Sequence, residues 1–284
     1  MKPAFQKDDV LLADIERTRQ SGETKLWWLG QSGFLFVSPA GTILFDPYLS
    51  DSLTIKYGST DKPHTRVTEQ VIDPARLTGI DIITTSHNHT DHLDAETLLP
   101  LFKANPNAKL VSPRANREFI LGRLGQVADR LVEIDAGESV SVAGVQFYGI
   151  AAAHNNVERD DSGYCKFLGF VARLGGTTLY HSGDTLWHDR LAQALKVFAP
   201  DVAMVPINGN LPERRVSGNL NGLEAAALAC EIGARLAVPH HYDMFEFNTT
   251  SPTEFESECA RLSQPFHTLR NGEGLQIRQK SISV

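Results

Sequence analysis

The chain has 284 residues, 42% of them hydrophobic and 21% charged, with a formal net charge of -7 and a pI of about 5.8. This is ordinary globular composition, and a chain of this length buries enough apolar surface to need no cross-links. The acidic balance excludes a general nucleic-acid-binding surface, since phosphate backbones call for a basic face, but leaves room for a local basic pocket around one small anion.

The first segment, MKPAFQKDDVLLADIERTRQSG, is charged and lacks the apolar core and small residues of a secretory signal. Within it, DDVLLADIERTRQ repeats apolar residues at helical spacing, which predicts a short leading helix. KLWWLG, GFLFVS and GTILFDP follow as short runs rich in aromatic and β-branched residues. Gln31-Ser32-Gly33 and Pro39-Ala40-Gly41 supply the turns between them, so the three predict a β-meander. The polar stretch 50–68 predicts a long loop near a functional mouth.

From Gly79 the rhythm changes. GIDIITTS reads as a buried strand, DAETLLPLFKAN as a helix with acidic residues in its first turn, KLVSP as a strand, and PRANREFILGRLG as a helix opened by Pro113. RLVEI, SVSVAG, VQFYGIAA, FLGFVARLG and TTLYHSG predict five further strands. The last third alternates: helix WHDRLAQALKVF, strand DVAMVPI, helix LNGLEAAALACEIG, strand RLAVPHH and helix PTEFESECARLS. No low-complexity linker or fixed-period repeat divides the chain. The pattern predicts one α/β domain over 1–284 with four layers, two packed sheets inside and helices on both outer faces.

Cys165, Cys230 and Cys259 are far apart and no CxxC spacing occurs, so reduced thiols are expected. No apolar run approaches the roughly 20 residues that span a bilayer. Together with the first segment, these features predict a soluble cytoplasmic protein. WWLG and MFEF are candidate aromatic patches for a homo-oligomer interface.

The strongest chemical signal is Ser86-His87-Asn88-His89-Thr90-Asp91-His92, an H-x-H-x-D-H run between a predicted strand and a predicted helix. Residues two apart in extended backbone point to one side, so His87 and His89 can reach one metal ion. The turn then directs Asp91 and His92 to a neighbouring position. Imidazole and carboxylate suit zinc, manganese or iron, and no thiolate is on offer. Further candidates stand where apolar strands give way to polar residues: His154 after VQFYGIAAA, Asp184 after TTLYHSG, and His240 and His241 after RLAVP.

HNHTDH, His154, the SGD of Ser182-Gly183-Asp184 and VPHHYDMF together resemble the metallo-β-lactamase superfamily, over nearly the whole chain. WWLGQSG, LYHSGDT, INGN, GNLNGLEAA and PHHYDMF resemble its bacterial L-ascorbate-6-phosphate lactonase group, whereas His154 resembles the commoner two-metal members. The resemblance implies one or two divalent ions per chain, manganese or zinc, leaning to manganese for the lactonase group. His87, His89 and His154 would hold one ion, Asp91, His92 and His241 the other, and Asp184 would bridge. Of the tandem histidines, His241 fits the family's pattern of proline, a variable residue, the ligand histidine and then tyrosine. His240 is left to line the pocket.

A dication lowers the pKa of water to about 7 and a second ion stabilises a developing oxyanion. Asp91 and Asp184 are the catalytic candidates, Asp91 also as proton carrier to the leaving alkoxide. Ligand histidines need a partner on their second nitrogen. Asp46 in ILFDP is a candidate, and equally an ordinary turn aspartate before Pro47. His181 is a second candidate supporting residue, and His188 reads as surface. Asn208, Arg214, Arg215 and Asn219 in INGNLPERRVSGN are candidates to hold substrate, with Tyr242 beside the last ligand; an arginine there could clamp a phosphate. The segment reads equally as a solvated loop. Lys56, Tyr57 and His64 receive no role.

These readings predict a hydrolase that opens a sugar or sugar-phosphate lactone by attack of metal-activated water. Phosphodiester hydrolysis by the same pair of ions is the alternative. A non-catalytic metal-binding domain is disfavoured by the complete ligand set.

Overall fold

A computed structural model describes residues 1–125 and 127–278. The leading helix α1 (Asp8–Ser21) and the meander β1 (Lys25–Gly30), β2 (Gly33–Ser38) and β3 (Gly41–Phe45) form as their patterns predict. The short helix α2 (Ser52–Tyr57) lies inside the expected loop. Next come β4 (Ile82–Thr84), α3 (Ala95–Ala104), β5 (Lys109–Pro113), α4 (Arg117–Leu124) and β6 (Leu131–Ile134). The second half comprises β7 (Ser139–Val142), β8 (Val145–Ala151), β9 (Leu168–Leu174), β10 (Thr177–His181), α5 (Leu191–Lys196), β11 (Val202–Pro206), α6 (Gly222–Glu231), β12 (Ala237–His240), α7 (Thr253–Leu262) and β13 (Gly274–Gln276).

The strands make two mixed sheets. One has the order β13-β1-β2-β3-β4-β5-β6, the other β12-β11-β10-β9-β8-β7. Side chains alternate between the two faces of a strand, and the meander shows where each face goes. Leu26, Trp28, Phe34, Phe36, Ile43 and Phe45 join the core shared with the second sheet, including Phe147, Phe170 and Leu179. Trp27, Leu29, Leu35, Val37 and Leu44 join a separate core under the helices, with Leu11, Ile15, Leu98, Leu101 and Ile120. A sheet buried on both faces explains why these runs are apolar at nearly every position. The result is the expected four-layer arrangement.

Two boundaries and one surface reading differ from expectation. Pro113 ends β5, registered opposite Ile134, and α4 starts only at Arg117 after a 3-10 turn at Arg114–Asn116. Lacking an N–H, proline suits a strand end as well as a helix start. α5 is shorter than WHDRLAQALKVF, because the His188 ring is tied to the Ala151 carbonyl (3.0 Å) outside the helix. Finally, WWLG and the Met244-Phe245 part of MFEF lie inside the fold rather than at a surface. Trp27, Trp28, Met244 and Phe245 are all buried, since the sheet and the C-terminal segment cover them.

Strand direction places the site. β3 and β4 run parallel, as do β10, β11 and β12, and β8 shares the direction of β10 through the antiparallel β9 between them. The residues that follow these strands therefore leave at carboxyl ends, where layered α/β proteins gather ligands.

Candidate metal centre

His87 follows β4, His154 follows β8, Asp184 follows β10 and His241 follows β12. Two groups of possible ligand atoms result, each with its atoms within 4.8 Å of one another: His87, His89 and His154, and Asp91, His92, Asp184 and His241. Asp184 touches both groups. Its Oδ2 is 3.4 Å from His154 Nε2 and 3.4 Å from His241 Nε2, and its Oδ1 is 3.3 Å from His92 Nε2. Asp91 Oδ2 lies 3.6 Å from His241 Nε2 and 3.7 Å from His92 Nε2.

The backbone that delivers these groups is strained. Gln31 (φ 50), Asp46 (φ 38) and His241 (φ 64) all hold left-handed conformations that residues with a Cβ rarely adopt. Gly183 also needs its positive φ, and a Cβ there would meet Ser86 Cβ at 2.6 Å. Its absence lets the Ser182–Asp184 turn press against the histidine run.

The outer nitrogens of the rings are anchored. His92 Nδ1 is 2.7 Å from Asp46 Oδ2, His154 Nδ1 is 2.8 Å from the Gly218 carbonyl, and His87 Nδ1 is 3.0 Å from Ser86 Oγ. Such partners turn the other nitrogen inward. Asp46 is fully buried and also accepts from the Ser86 amide (3.1 Å) and Thr84 Oγ1 (2.8 Å). It supports the site and is no ordinary turn residue. His181 donates from Nε2 to the Ser32 carbonyl (2.8 Å), while its Nδ1 accepts from the Gly183 amide (3.2 Å), so it braces the turn before Asp184.

Burial and the groups' own mutual interactions set their charges. Burial, together with the neighbouring imidazoles, holds His87 well below its usual pKa and His89 down to about 4, so both rings stay neutral with lone pairs free. Burial opposes charge on His92 and His241 too, but Asp184 and Asp91 outweigh it and push both up, His241 to about 9, so a cation held there would displace a proton from each ring. The carboxyls of Asp91 and Asp184 are in turn held well below the usual range, despite burial, chiefly by those histidines. Meanwhile His87 Nε2, His92 Nε2 and Asp184 Oδ1 are buried with no hydrogen-bond partner. Orphaned buried polar atoms converging from different strands are costly unless something else satisfies them. A set of imidazole and carboxylate donors fits a divalent cation such as zinc or manganese.

Above the two groups opens a cavity of about 770 Å³. Arg215 lines it; the other residues assigned to substrate do not. His240 is fully buried beneath the site, stacked on His181 at 5.2 Å and flanked by the hydroxyls of Ser32 and Ser182. Tyr242 stacks on Trp28 at 4.4 Å and donates to the Leu269 carbonyl. Asn208 and Asn219 are buried and bonded to each other (3.0 Å). Arg214 donates to the carbonyls of Asn208 and Thr249 and to Asn248 Oδ1. It ties the loop together from behind the cavity wall.

Sequence reasoning passed over several wall residues, namely Lys56, Lys62, His64, Arg123, Asn155 and Ser217. The expectation that 50–68 borders a mouth was the one available signal. It also took Gln31 for turn chemistry alone. The Gln31 side-chain amide donates to Asp91 Oδ2 (2.9 Å) and lies 3.0 Å from His241 Nε2, and the His241 amide donates back to the Gln31 carbonyl (3.0 Å).

Among the described residues no helix is long and apolar enough to cross a membrane. Residues 42–242 match the family described as Beta-lactamase superfamily domain. A UPF0173 metal-dependent hydrolase from Rubrobacter xylanophilus is 29% identical over 264 residues, 89% of this chain and 97% of that protein. Among solved structures, the metallo hydrolase Igni18 from Ignicoccus hospitalis superposes with a TM-score of 0.66 at 20% identity, covering 90% of this chain and 99% of that one. The metallo-beta-lactamase fold protein YhfI from Bacillus subtilis gives 0.62 at 17% identity, with 89% and 99% covered. With the family match spanning most of its length, the chain belongs to this beta-lactamase superfamily and has the metallo-β-lactamase fold.

Proposed function

We propose that the two groups hold a pair of divalent cations, manganese or zinc, and that this centre opens a lactone of a sugar or sugar phosphate. His87, His89 and His154 hold one ion, Asp91, His92 and His241 the other, and Asp184 serves both. The observation that carries this reading is the position of Asp184, whose two oxygens lie 3.3–3.4 Å from inward-facing nitrogens of both groups. When bound, the ions bring the pKa of water at the site to about 7 and offset charge growing on the attacked carbonyl oxygen.

The remaining work falls to this chain's own side chains. Asp91 is ionised, and Gln31 bonds one of its oxygens (2.9 Å). It orients the attacking water, holds the proton released, and hands it to the leaving alkoxide oxygen as the ring opens. Asp46, Ser86 and the Gly218 carbonyl fix the rings of His92, His87 and His154. The lactonase reading also draws on the likeness of WWLGQSG, LYHSGDT and PHHYDMF to the ascorbate-phosphate lactonase group.

The test is hydrolysis of a panel of sugar lactones, their phosphates and bis-p-nitrophenyl phosphate. Metal-stripped protein, protein given manganese or zinc, and the Asp184→Ala variant are compared. Metal-dependent turnover of a lactone that is lost in Asp184→Ala is expected. Turnover of the diester alone would make the protein a phosphodiesterase. No turnover with two ions bound would sink the lactonase reading.

A further inference from the structure

The chain carries a formal charge of -7, yet the cavity above the metal centre is walled by Lys56, Lys62, Arg123 and Arg215. Among the described residues, the carboxylates lining it are Asp91 and Asp184, both committed to the proposed cations. Direct ion pairs offset little of that charge, although Asp61 also lies near Lys62 and Asp94 near Arg123. Arg215 is ion-paired with Asp61, whereas none of Lys56, Lys62 and Arg123 is ion-paired with a carboxylate among the described residues.

Arg123 is the best organised of them. Its Nη1 donates to the Leu93 carbonyl (2.9 Å), one residue beyond His92, and its guanidinium lies over the Phe119 ring at 4.5 Å. A planar fork braced this way keeps further N–H donors for a ligand. Lys62 donates to the Arg215 carbonyl, which joins the 57–64 segment to the 211–217 loop. Arg215 itself is held in a left-handed conformation (φ 52) at that junction. Four cations gathered at one cleft, with Asp61 as the one carboxylate ion-paired to any of them among the described residues, raise the local concentration of anions.

We infer that Arg123, Lys56, Lys62 and Arg215 form an anion subsite at the mouth of the cavity, taking a phosphate or carboxylate on the part of the substrate that does not react. The inference rests on the hydrolase reading of the cavity below it. It moves the acid-binding role away from Arg214, which does not line the cavity and donates to Asn208, Asn248 and Thr249. It also gives the substrate a polarity, with its labile bond over Asp184 and its acid group towards α4 and the 57–64 segment.

The test is calorimetric titration of the metal-loaded protein with glycerol 1-phosphate, with glycerate, and with glycerol as the neutral control. At least one acid is expected to bind while glycerol does not, with affinity that falls as added salt shortens the screening length. Arg123→Gln and the double variant Lys56→Gln, Lys62→Gln should each bind the acid roughly tenfold or more weakly with metal content unchanged. Binding of the phosphate alone, or of the carboxylate alone, supports the subsite and names its ligand.

The inference is overturned if neither acid binds. It is also overturned if both variants bind as the parent does and only removal of the metal abolishes binding, since the ions themselves would then hold the anion. The two readings can fail separately. Acid binding without turnover of any lactone or ester would sink the hydrolytic reading and leave the subsite. Turnover of a lactone phosphate with the same KM in the parent and both variants would do the reverse.

Discussion

His92 is held by a carboxylate that has no access to water. Asp46 accepts from the ring nitrogen at 2.7 Å and from the Ser86 amide through both oxygens, a load that a neutral amide with one acceptor oxygen cannot carry. Asp46→Asn should therefore weaken metal binding by about 10–100-fold while leaving the fold intact. Competition with a chromogenic chelator, read beside the circular dichroism spectrum, measures both. Affinity equal to the parent's would remove Asp46 from the site. At this scale the ligand types were legible, because imidazoles and carboxylates packed at strand ends have few other uses. The neighbours of the ligands were not. Nearness in sequence to His241 suggested that Tyr242 lines the pocket, but past the left-handed turn at His241 it stacks on Trp28 instead. Gln31 was invisible for a like reason, since its sequence context is a turn and its partners are 60 and 210 positions away.

α1 is tied to β1 through one aspartate. Asp14 accepts from Lys25 Nζ (2.7 Å), Trp27 Nε1 (2.9 Å) and Gln6 Nε2 (3.0 Å). Burial pushes its carboxyl up, but those bonds outweigh it and hold the group below the ordinary value of 3.8. A carboxyl lowered on folding adds stability above its unfolded pKa and loses it as the pH falls towards the folded value. Asp14→Asn should thus cost about 1 kcal/mol at pH 7 after solvent screening. The gap from the parent should close below about pH 4. Urea unfolding of both proteins across that range is the measurement, and a gap that persists in acid would assign the loss to packing. Helix and strand interiors were readable from periodicity. Their ends at Pro113 and His188 were not, because a paired strand and the Ala151 carbonyl set them.

For the whole molecule, the two sheets close over seven candidate ligands contributed from residue 87 to residue 241. A cation bound there favours the folded chain alone, with about 2.7 kcal/mol per site when free metal is a hundredfold above Kd. Chelation should then lower Tm by roughly 5 °C or more. Asp184→Ala, which removes the residue shared by both groups, should show a much smaller shift. Differential scanning calorimetry with and without chelator decides this, and an equal shift in the two proteins would mean that the stabilising metal lies elsewhere.

By itself the sequence determined the layered α/β class, the meander and most strands, and the seven candidate ligands. Each of these is local, since apolar period and residue type depend on nearby positions. Tertiary structure alone decided which side chains share a space. It put Gln31 beside Asp91, sank His240 and Tyr242 into the core, spent Arg214 on the loop, and brought Lys56, Lys62 and Arg123 to one cavity. The reason is physical. A side chain's direction past the end of a strand follows from turn dihedrals and long-range contacts, and neither leaves a periodic trace in the chain.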